Sequence, residues 1–152
     1  MKTVKFLFFF LFFSTLILPQ SYKPEEKFDP TRDPNADLKV AIIDAKQNNK
    51  RIILDVGGEW CIWCHRIDDF MHTTPEVSML LEKNYIVVKV NYSKENKNEK
   101  FLSNYPAIEG YPHFFVLEKD GKILHSQNTG DLEKDKGYDK DKFVVFLNKW
   151  AP

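Results

Sequence analysis

The chain has 152 residues, which suits a single domain, and its 22 Lys and Arg balance 22 Asp and Glu. Without a basic excess, the composition argues against nucleic acid as a partner. At 43% hydrophobic and 14% aromatic residues the chain can form a core, although six of its 13 Phe lie between Phe6 and Phe13. Its two cysteines, Cys61 and Cys64, are too few for a disulfide framework.

Residues 1–20 have the pattern of a signal peptide. Two lysines form a positive n-region, and the 13 residues from Phe6 to Leu18 are apolar except for Ser14 and Thr15. This run is shorter than the roughly 20 residues of a membrane-spanning helix. Residues 18–20 lack the small side chains of a usual cleavage site, so an uncleaved anchor stays an alternative. We therefore expect a periplasmic or secreted protein, with a membrane-anchored one as the alternative, and a net charge of −2 after cleavage.

The remaining chain divides into a linker and one domain. Residues 21–36 are polar, contain three prolines and show no apolar period, which predicts a linker, and the domain is expected to span residues 37–152. The domain begins with apolar residues at helical spacing from Leu38 to Ala45. The apolar run Arg51–Val56 then predicts a buried strand. A second helical stripe follows the glycine pair at 57–58 and consists of Trp63, Ile67, Phe70 and Met71.

The second half of the domain continues the alternation of helices and strands. Thr74-Pro75 predicts the N-cap and first residue of a further helix, and Tyr85–Val90 predicts the second strand. A polar loop over residues 91–100 and a short helix lead to a hairpin, for which Asp120-Gly121 predicts a two-residue turn. The last helix carries an apolar stripe that should cover one face of the sheet, formed by Phe143, Phe146, Leu147 and Trp150.

The two cysteines follow the first strand and open a helical pattern. In the first turn of a helix, unpaired N–H groups and the helix dipole favour a thiolate, and an offset of three residues brings two sulfurs within disulfide reach. Such settings lower a cysteine pKa from about 8.5 to roughly 3.5–7.5. We expect Cys61, nearer the helix start, to attack a disulfide, and Cys64 to resolve the mixed disulfide.

Three features of neighbouring segments suit this chemistry. Asp55 interrupts the apolar strand before the cysteines, so burial should raise its pKa toward that of a base for Cys64. Lys89 interrupts the second strand, and two single charges on adjacent buried strands are best explained as partners. Gly110-Tyr111-Pro112 directly precedes a strand, where a cis proline would fit.

Together these motifs resemble the thioredoxin superfamily over about residues 37–150. The matching segments are Asp55 to Cys64 (Asp-Val-Gly-Gly-Glu-Trp-Cys-Ile-Trp-Cys), Lys89-Val-Asn91 and Gly110-Tyr-Pro112. Within the superfamily, Trp-Cys-x-Trp-Cys-His followed by Thr74-Pro-Glu-Val77 is similar to the secreted branch that includes the C-terminal domain of the Dsb-system membrane thiol transporter. The resemblance implies an α/β, thioredoxin-like fold with a central mixed sheet of four to five strands and helices on both faces.

The resemblance also implies a role for each site residue. The catalytic group would consist of the nucleophile Cys61, the resolving thiol Cys64, the buried acid Asp55 and its charge partner Lys89. Pro112 would be the cis-proline beside the disulfide, and the backbone of Tyr111 would pair with a substrate strand. We expect Trp60 and Trp63 to contact the substrate as well. Because Ile62-Trp63 replaces the Gly-Pro of thioredoxin, and this dipeptide helps set the reduction potential, reduction, oxidation and isomerisation all stay open.

Other functions fit parts of the same pattern. Residues 61–65 match the CxxCH signature of c-type haem attachment, although strands and Asp55 have no use in a helical cytochrome. A zinc site from both cysteines and two of His65, His72 and His113 lacks a spacing that selects the fourth ligand, so we expect no metal. A purely structural disulfide would close too small a loop to stabilise much. His65 is either a residue that tunes the thiols or an ordinary surface residue.

The sequence therefore predicts an exported thiol:disulfide oxidoreductase that exchanges its Cys61/Cys64 pair with protein thiols and disulfides, without a dissociable cofactor. A redox partner protein would restore the pair. We expect a monomer that meets a membrane only if residues 1–20 stay attached. The alternative from another class is a redox-inactive thioredoxin-like peptide-binding or chaperone module, with its groove near Tyr111 and Pro112.

Overall fold

The computed structural model of the protein describes residues 21–152. The predicted signal peptide lies outside the described residues, and its cleavage or retention stays a prediction. Over residues 21–152, helices that combine the length and the apolar character needed to cross a bilayer are absent.

Helices and strands follow one another in the predicted order, with a short helix before the hairpin, except that the turn and the two short strands between the hairpin and the last helix were not predicted. Their bounds are α1 (Pro34–Asn48), β1 (Arg51–Gly57), α2 (Ile62–Thr73), α3 (Pro75–Asn84), β2 (Tyr85–Asn91), α4 (Glu99–Leu102), β3 (His113–Leu117), β4 (Ile123–Asn128), β5 (Glu133–Lys134), β6 (Gly137–Tyr138) and α5 (Lys140–Lys149). A 3₁₀ turn, Thr129–Leu132, connects β4 to β5.

The main sheet has four strands in the order β2-β1-β3-β4. Strands β1 and β2 are parallel, while β3 is antiparallel to both β1 and β4. The predicted mixed sheet of four to five strands is therefore confirmed, with four strands. In the parallel register Asp55 lies directly beside Lys89, which places the two predicted charges on neighbouring strands.

Side chains alternate across the sheet and form two cores, one on each face. One core joins Ile53 and Phe114 to apolar residues of α2, α3 and α5, and the other joins Ile52 and Leu54 to residues of α1. Helices cover both faces, as predicted. Because residues of the same parity share a face, Asp55 points to the same side as Ile53, toward α2.

The hairpin between β3 and β4 differs from the predicted two-residue turn. Its loop has three residues: the N–H of Gly121 donates to the carbonyl of Glu118 (2.8 Å), and the N–H of Glu118 donates to the carbonyl of Lys122 (2.8 Å). Gly121 has φ +90°. A type I turn followed by a left-handed residue makes this loop, and glycine adopts that conformation without strain.

The first helix begins earlier than the residue at which we placed the start of the domain. Its first residue is Pro34, and the side chain of Asp33 caps it by accepting the N–H of Asn35 at 2.9 Å. The preceding segment also packs against the domain, since Tyr22 and Phe28 are buried. The Tyr22 N–H donates to Asp44 Oδ2 (2.8 Å), which ties this segment to α1.

Candidate functional site

The two cysteines lie at the start of α2 and are joined in a disulfide, with their Cα atoms 5.2 Å apart. Cys61 is the N-cap residue, and its Sγ accepts the N–H of Cys64 at 3.1 Å. A thiolate at this position would receive the same hydrogen bond and face the positive end of the helix dipole. Cys61 is 5% exposed and Cys64 fully buried. The difference in exposure is in the direction expected for an attacking and a resolving thiol.

Gly57, the last residue of β1, allows the disulfide to approach the strand. A Cβ at this position would lie 2.5 Å from Cys64 Sγ, closer than any real contact. The absence of a side chain therefore lets Cys64 pack directly on the strand end. Asp55 lies two residues before Gly57 and therefore on the same face of β1, the face against which Cys64 packs.

Asp55 is fully buried, and both of its carboxylate oxygens lack hydrogen-bond partners within the described part of the chain. Burial raises its pKa to about 6, because a charged carboxylate loses its hydration there. The positive charge of Lys89, whose Nζ lies 3.7 Å from Asp55 Oδ2, opposes this shift, and the nearby carboxylate of Asp68 adds to it. A carboxylate with such a pKa suits a base that works near neutral pH.

Lys89 makes a shorter contact with Asp68 than with its predicted partner Asp55. Its Nζ lies 2.6 Å from Asp68 Oδ1, and its side chain is only 6% exposed. The predicted pair thus belongs to a group of three residues, in which Lys89 lies near the carboxylates of both Asp55 and Asp68. Sequence reasoning missed Asp68, although its position one helical turn after Cys64 places it on the same helix face.

The peptide bond between Tyr111 and Pro112 is cis, as the sequence predicted. The Pro112 carbonyl accepts a hydrogen bond from the buried hydroxyl of Thr129 (2.5 Å). Tyr111 packs against the cluster that contains both cysteines, and its ring stacks on Tyr92 with centroids 4.7 Å apart. The cis peptide bond therefore directly follows a residue that packs against the disulfide cluster. Thr129 had no sequence signal, because its contact depends on the path of the chain after β4.

An apolar surface surrounds the disulfide. Trp60 and Ile62, on either side of Cys61, are each 60% exposed. The indole N–H of Trp60 donates to the Tyr92 carbonyl (2.7 Å), so the ring is held beside a cleft of about 480 Å³. This cleft is lined by Trp60, Tyr92, Ser93, Lys94, Glu95 and Lys97. Exposed apolar side chains clustered at one place are typical of a surface that contacts another molecule.

Trp63 and His65 make contacts within the domain. The Trp63 ring meets Tyr138 edge to face with centroids 5.9 Å apart, and its carbonyl accepts the Tyr138 hydroxyl at 3.4 Å. The His65 Nε2 lies 2.8 Å from the carbonyl of Glu59, which links α2 to the turn before it. The other two histidines make polar contacts away from the cysteines: His72 Nδ1 lies 2.7 Å from the carbonyl of Asp68, and His113 Nε2 lies 2.8 Å from the hydroxyl oxygen of Ser126. The structure thus does not assemble the ligands of the zinc alternative.

Phe28 is a further residue at this site that sequence reasoning missed. It is 3% exposed and forms one apolar cluster with Cys61 and Cys64. The residues before and after Phe28 in the sequence are polar or proline, so no regular spacing of apolar residues predicted its burial.

Comparison with known proteins matches this geometry to one family. A family model described as thioredoxin-like matches residues 33–119. The chain is 22% identical to the thiol:disulfide interchange protein DsbD of Pseudomonas fluorescens over 86% of its own length and 21% of that protein's. It is 26% identical to the disulfide bond reductase DsbH of Chlamydia pneumoniae over 55% of each chain. The chain thus spans at most about half the length of these relatives.

A solved structure supports the same fold. A disulphide isomerase from Xylella fastidiosa superimposes with a TM-score of 0.69 at 24% identity, covering 80% of this chain and 94% of that one. The predicted resemblance to the thioredoxin superfamily, with similarity to Dsb proteins, is therefore confirmed. Because the family model covers more than half of the residues, the chain belongs to the thioredoxin-like family.

Proposed function

We propose that the protein is an exported thiol:disulfide oxidoreductase that exchanges its Cys61/Cys64 pair with cysteines of other proteins. The observation that supports this most directly is the asymmetric disulfide. Cys61 caps α2 beneath the exposed Trp60 and Ile62, whereas Cys64 is buried beside β1. The relatives DsbD and DsbH, named as an interchange protein and a reductase, support the same class of reaction.

In the reducing direction, the reaction begins with the Cys61 thiolate. Its sulfur attacks one sulfur of a partner disulfide, a mixed disulfide forms, and the other partner sulfur leaves as a thiolate. The hydrogen bond from the Cys64 N–H and the helix dipole stabilise the attacking anion. We propose that Trp60 and the backbone of Tyr111 hold the substrate, and that Trp63 and Pro112 shape the surface beside them.

The second step releases the partner. Asp55 takes the proton of the Cys64 thiol, and the Cys64 sulfur attacks Cys61, so the Cys61–Cys64 bond forms as the bond to the partner breaks. The partner leaves reduced by two electrons, and this protein is oxidised. The positive charge of Lys89 lowers the pKa of Asp55 and so stabilises its carboxylate form before the proton is accepted. The reverse sequence of steps would oxidise a partner dithiol.

Two cysteine variants test the proposal. Cys61→Ser should lose reduction of insulin disulfides, because no sulfur remains to form the mixed disulfide. Cys64→Ala should instead accumulate a mixed disulfide with a model substrate, visible as an added mass that dithiothreitol removes. Exposed Ile43, on α1, offers a control: Ile43→Ser should keep full activity. If Cys64→Ala forms no adduct and the wild type reduces no disulfide, the exchange proposal is wrong.

The same variants test the alternative from another class, a redox-inactive module that binds extended peptides. The observation that favours peptide binding is the cleft lined by Trp60 and Tyr92, because the Tyr92 ring stacks on Tyr111, the residue before the cis proline. If peptide binding is the function, Cys61→Ser should bind an unfolded polypeptide as tightly as the wild type does. If disulfide exchange is the function, Cys61→Ser should bind the polypeptide only weakly, and activity should require the cysteines.

The direction of electron flow is decided by the reduction potential of the pair. Equilibration with reduced and oxidised glutathione measures it, and a value near about −270 mV indicates a reductant, whereas one near about −120 mV indicates an oxidant.

Export is tested by the mature N-terminus. We propose that residues 1–20 direct the chain out of the cytosol, where a disulfide persists. Mass spectrometry of protein from the periplasmic fraction should find a chain that begins near residue 21. Full-length protein in the membrane fraction would instead support an anchor, and full-length protein in the cytosol would contradict export.

A further inference from the structure

The segment before α1 reaches the disulfide through one side chain, that of Phe28. The Phe28 N–H donates to Glu59 Oε1 at 2.8 Å, and the Asn96 side-chain amide donates to the Pro30 carbonyl at 2.8 Å. Glu59 lies in the turn before Cys61, and Asn96 lies in the loop after β2. The segment is therefore attached on both sides of the site, and Phe28 is 3% exposed between these attachments.

The ring of Phe28 lies against two parts of the site, the Lys89 ammonium and the end of β1. The Lys89 ammonium is 4.6 Å from the ring centroid, which is a cation–π contact. Two ring carbons lie 3.0 and 3.3 Å from the position that a Cβ on Gly57 would take, and Cys64 Sγ lies 2.5 Å from the same position. The ring thus covers the end of β1 beside Cys64 and, at the same time, the charged end of Lys89.

Asp55 is surrounded by groups from each neighbouring element. Lys89 faces it from β2 and Asp68 from α2, while the Tyr138 hydroxyl on β6 is also influenced by its charge. On β3 its register partner is the uncharged Phe114. Among these charged and titratable groups only Lys89 is positive. The position of its ammonium therefore decides how much of the negative charge of Asp55 is compensated.

We propose that Phe28 is a positioning residue for disulfide exchange: its ring holds Lys89 against Asp55 and Asp68 and keeps water from the face of β1 on which Asp55 lies and against which Cys64 packs. This inference rests on the proposed function. In the resolving step the Cys64 proton moves to Asp55 as the Cys64 sulfur attacks Cys61 and the partner leaves as a thiolate. A dry space keeps Asp55 basic enough to accept that proton.

Removal of the ring should therefore change the titration of Asp55. Burial is the largest cause of its raised pKa, so water admitted by Phe28→Ala should lower that pKa, and this outweighs any loss of the Lys89 contact. Phe28→Leu keeps apolar volume over the site and should stay close to the wild type. Tyr22→Ala removes another buried anchor of the same segment and serves as the matched control.

The experiment is an NMR titration of the Asp55 side-chain carboxyl carbon in the oxidised protein, which requires no activity. The wild type should titrate near pH 6, and Phe28→Ala lower by about one pH unit. The acid limb of the rate with oxidised glutathione, measured on reduced protein, should shift in the same direction. If Phe28→Ala does not fold, Phe28→Val, which also shortens the side chain, takes its place.

Three results would overturn the inference: an unchanged midpoint in the shortened variant, an equal shift in Phe28→Leu, or an equal shift in Tyr22→Ala. The last result would assign the effect to the segment as a whole. Failure of the proposed function is recognised separately, because a wild type without exchange activity still gives a carboxyl titration that decides the role of Phe28.

Discussion

At the scale of single residues, burial of the ionised Asp55 lowers the stability of the folded protein, by an amount that depends on pH. Its pKa in the folded protein is about 6 against an ordinary value of 3.8, so between these values the folded state binds more protons than the unfolded state. Stability should therefore fall as the pH rises from about 4 to about 6 and stay lower above that range. At about 1.4 kcal/mol per pKa unit, the cost above pH 6 is about 3 kcal/mol.

The variant Asp55→Asn removes this cost. We expect the oxidised variant to be more stable than the oxidised wild type by about 3 kcal/mol at pH 7, with the difference vanishing below about pH 4. Urea unfolding at several pH values measures it, and oxidised protein avoids thiol titration. A variant less stable than the wild type at pH 7 would contradict the assigned cost.

Lys89 should set the pH at which the resolving step begins. Its charge lowers the pKa of Asp55, so Lys89→Met should raise that pKa and move the acid limb of the exchange rate to higher pH. Lys140→Met is the matched control, because Lys140 pairs with Glu76 (2.9 Å) at the surface, half-exposed and outside the site. An acid limb that moves equally in both variants would show that net charge, and not the buried pair, is responsible.

At the scale of elements, the junction of β1 and α2 determines the geometry of the site. The strand ends in Gly57, and α2 begins at Ile62 with Cys61 as its cap. Strand alternation points Asp55 toward α2, and the cap places both sulfurs at the end of the same strand. The short connection therefore brings Asp55 and Cys64, the proposed base and resolving thiol, to the same face of β1 without any contribution from distant loops.

Gly57→Ala tests how closely this junction is packed. The new Cβ would lie 2.5 Å from Cys64 Sγ, so we expect a loss of about 1–3 kcal/mol in the free energy of unfolding of the oxidised protein. Gly137→Ala, on β6, meets no atom within 4 Å among the described residues and should change stability by less than about 0.5 kcal/mol. Equal stability of the two variants, measured by urea unfolding, would refute the close approach.

At the scale of the whole molecule, the sheet lies between two cores, and each core packs one face of the sheet against helices. The α5 helix contributes fully buried Phe143 to the core that also contains Ile67 and Met71 of α2. The C-terminal helix therefore supports the face of the sheet on which the disulfide lies. Its own start is capped by Asp139, whose side chain accepts the N–H groups of Asp141 and Lys142.

A pair of variants on α5 separates this packing from helix propensity. Phe143→Ala should cost about 3–5 kcal/mol, because a buried aromatic ring is lost and a cavity remains. Val145→Ala, on the exposed face of the same helix, should cost less than about 0.5 kcal/mol. Thermal or urea unfolding measures both, and a loss below about 1 kcal/mol for Phe143→Ala would contradict its place in the core.

Local patterns sufficed for the elements and for the centre of the site. The apolar run Arg51–Val56, the stripe from Trp63 to Met71 and the spacing of the cysteines depend on neighbours in the chain, and they predicted β1, α2 and the disulfide. Asp120-Gly121 located the hairpin, but the loop has three residues because Gly121 takes the left-handed position after the turn and not a place within it.

By itself, then, the sequence predicted the fold class through its resemblance to a family, and it located the cysteine pair, the buried acid and the proline that follows a cis bond. The acid and the proline stand out because each is a residue type that a strand or its start rarely tolerates. Only the tertiary structure decided what surrounds them. Asp68 meets Lys89, Thr129 meets Pro112 and Phe28 meets the disulfide. These contacts join segments far apart in the chain, so they arise from how helices and loops pack on the sheet, which no local period encodes.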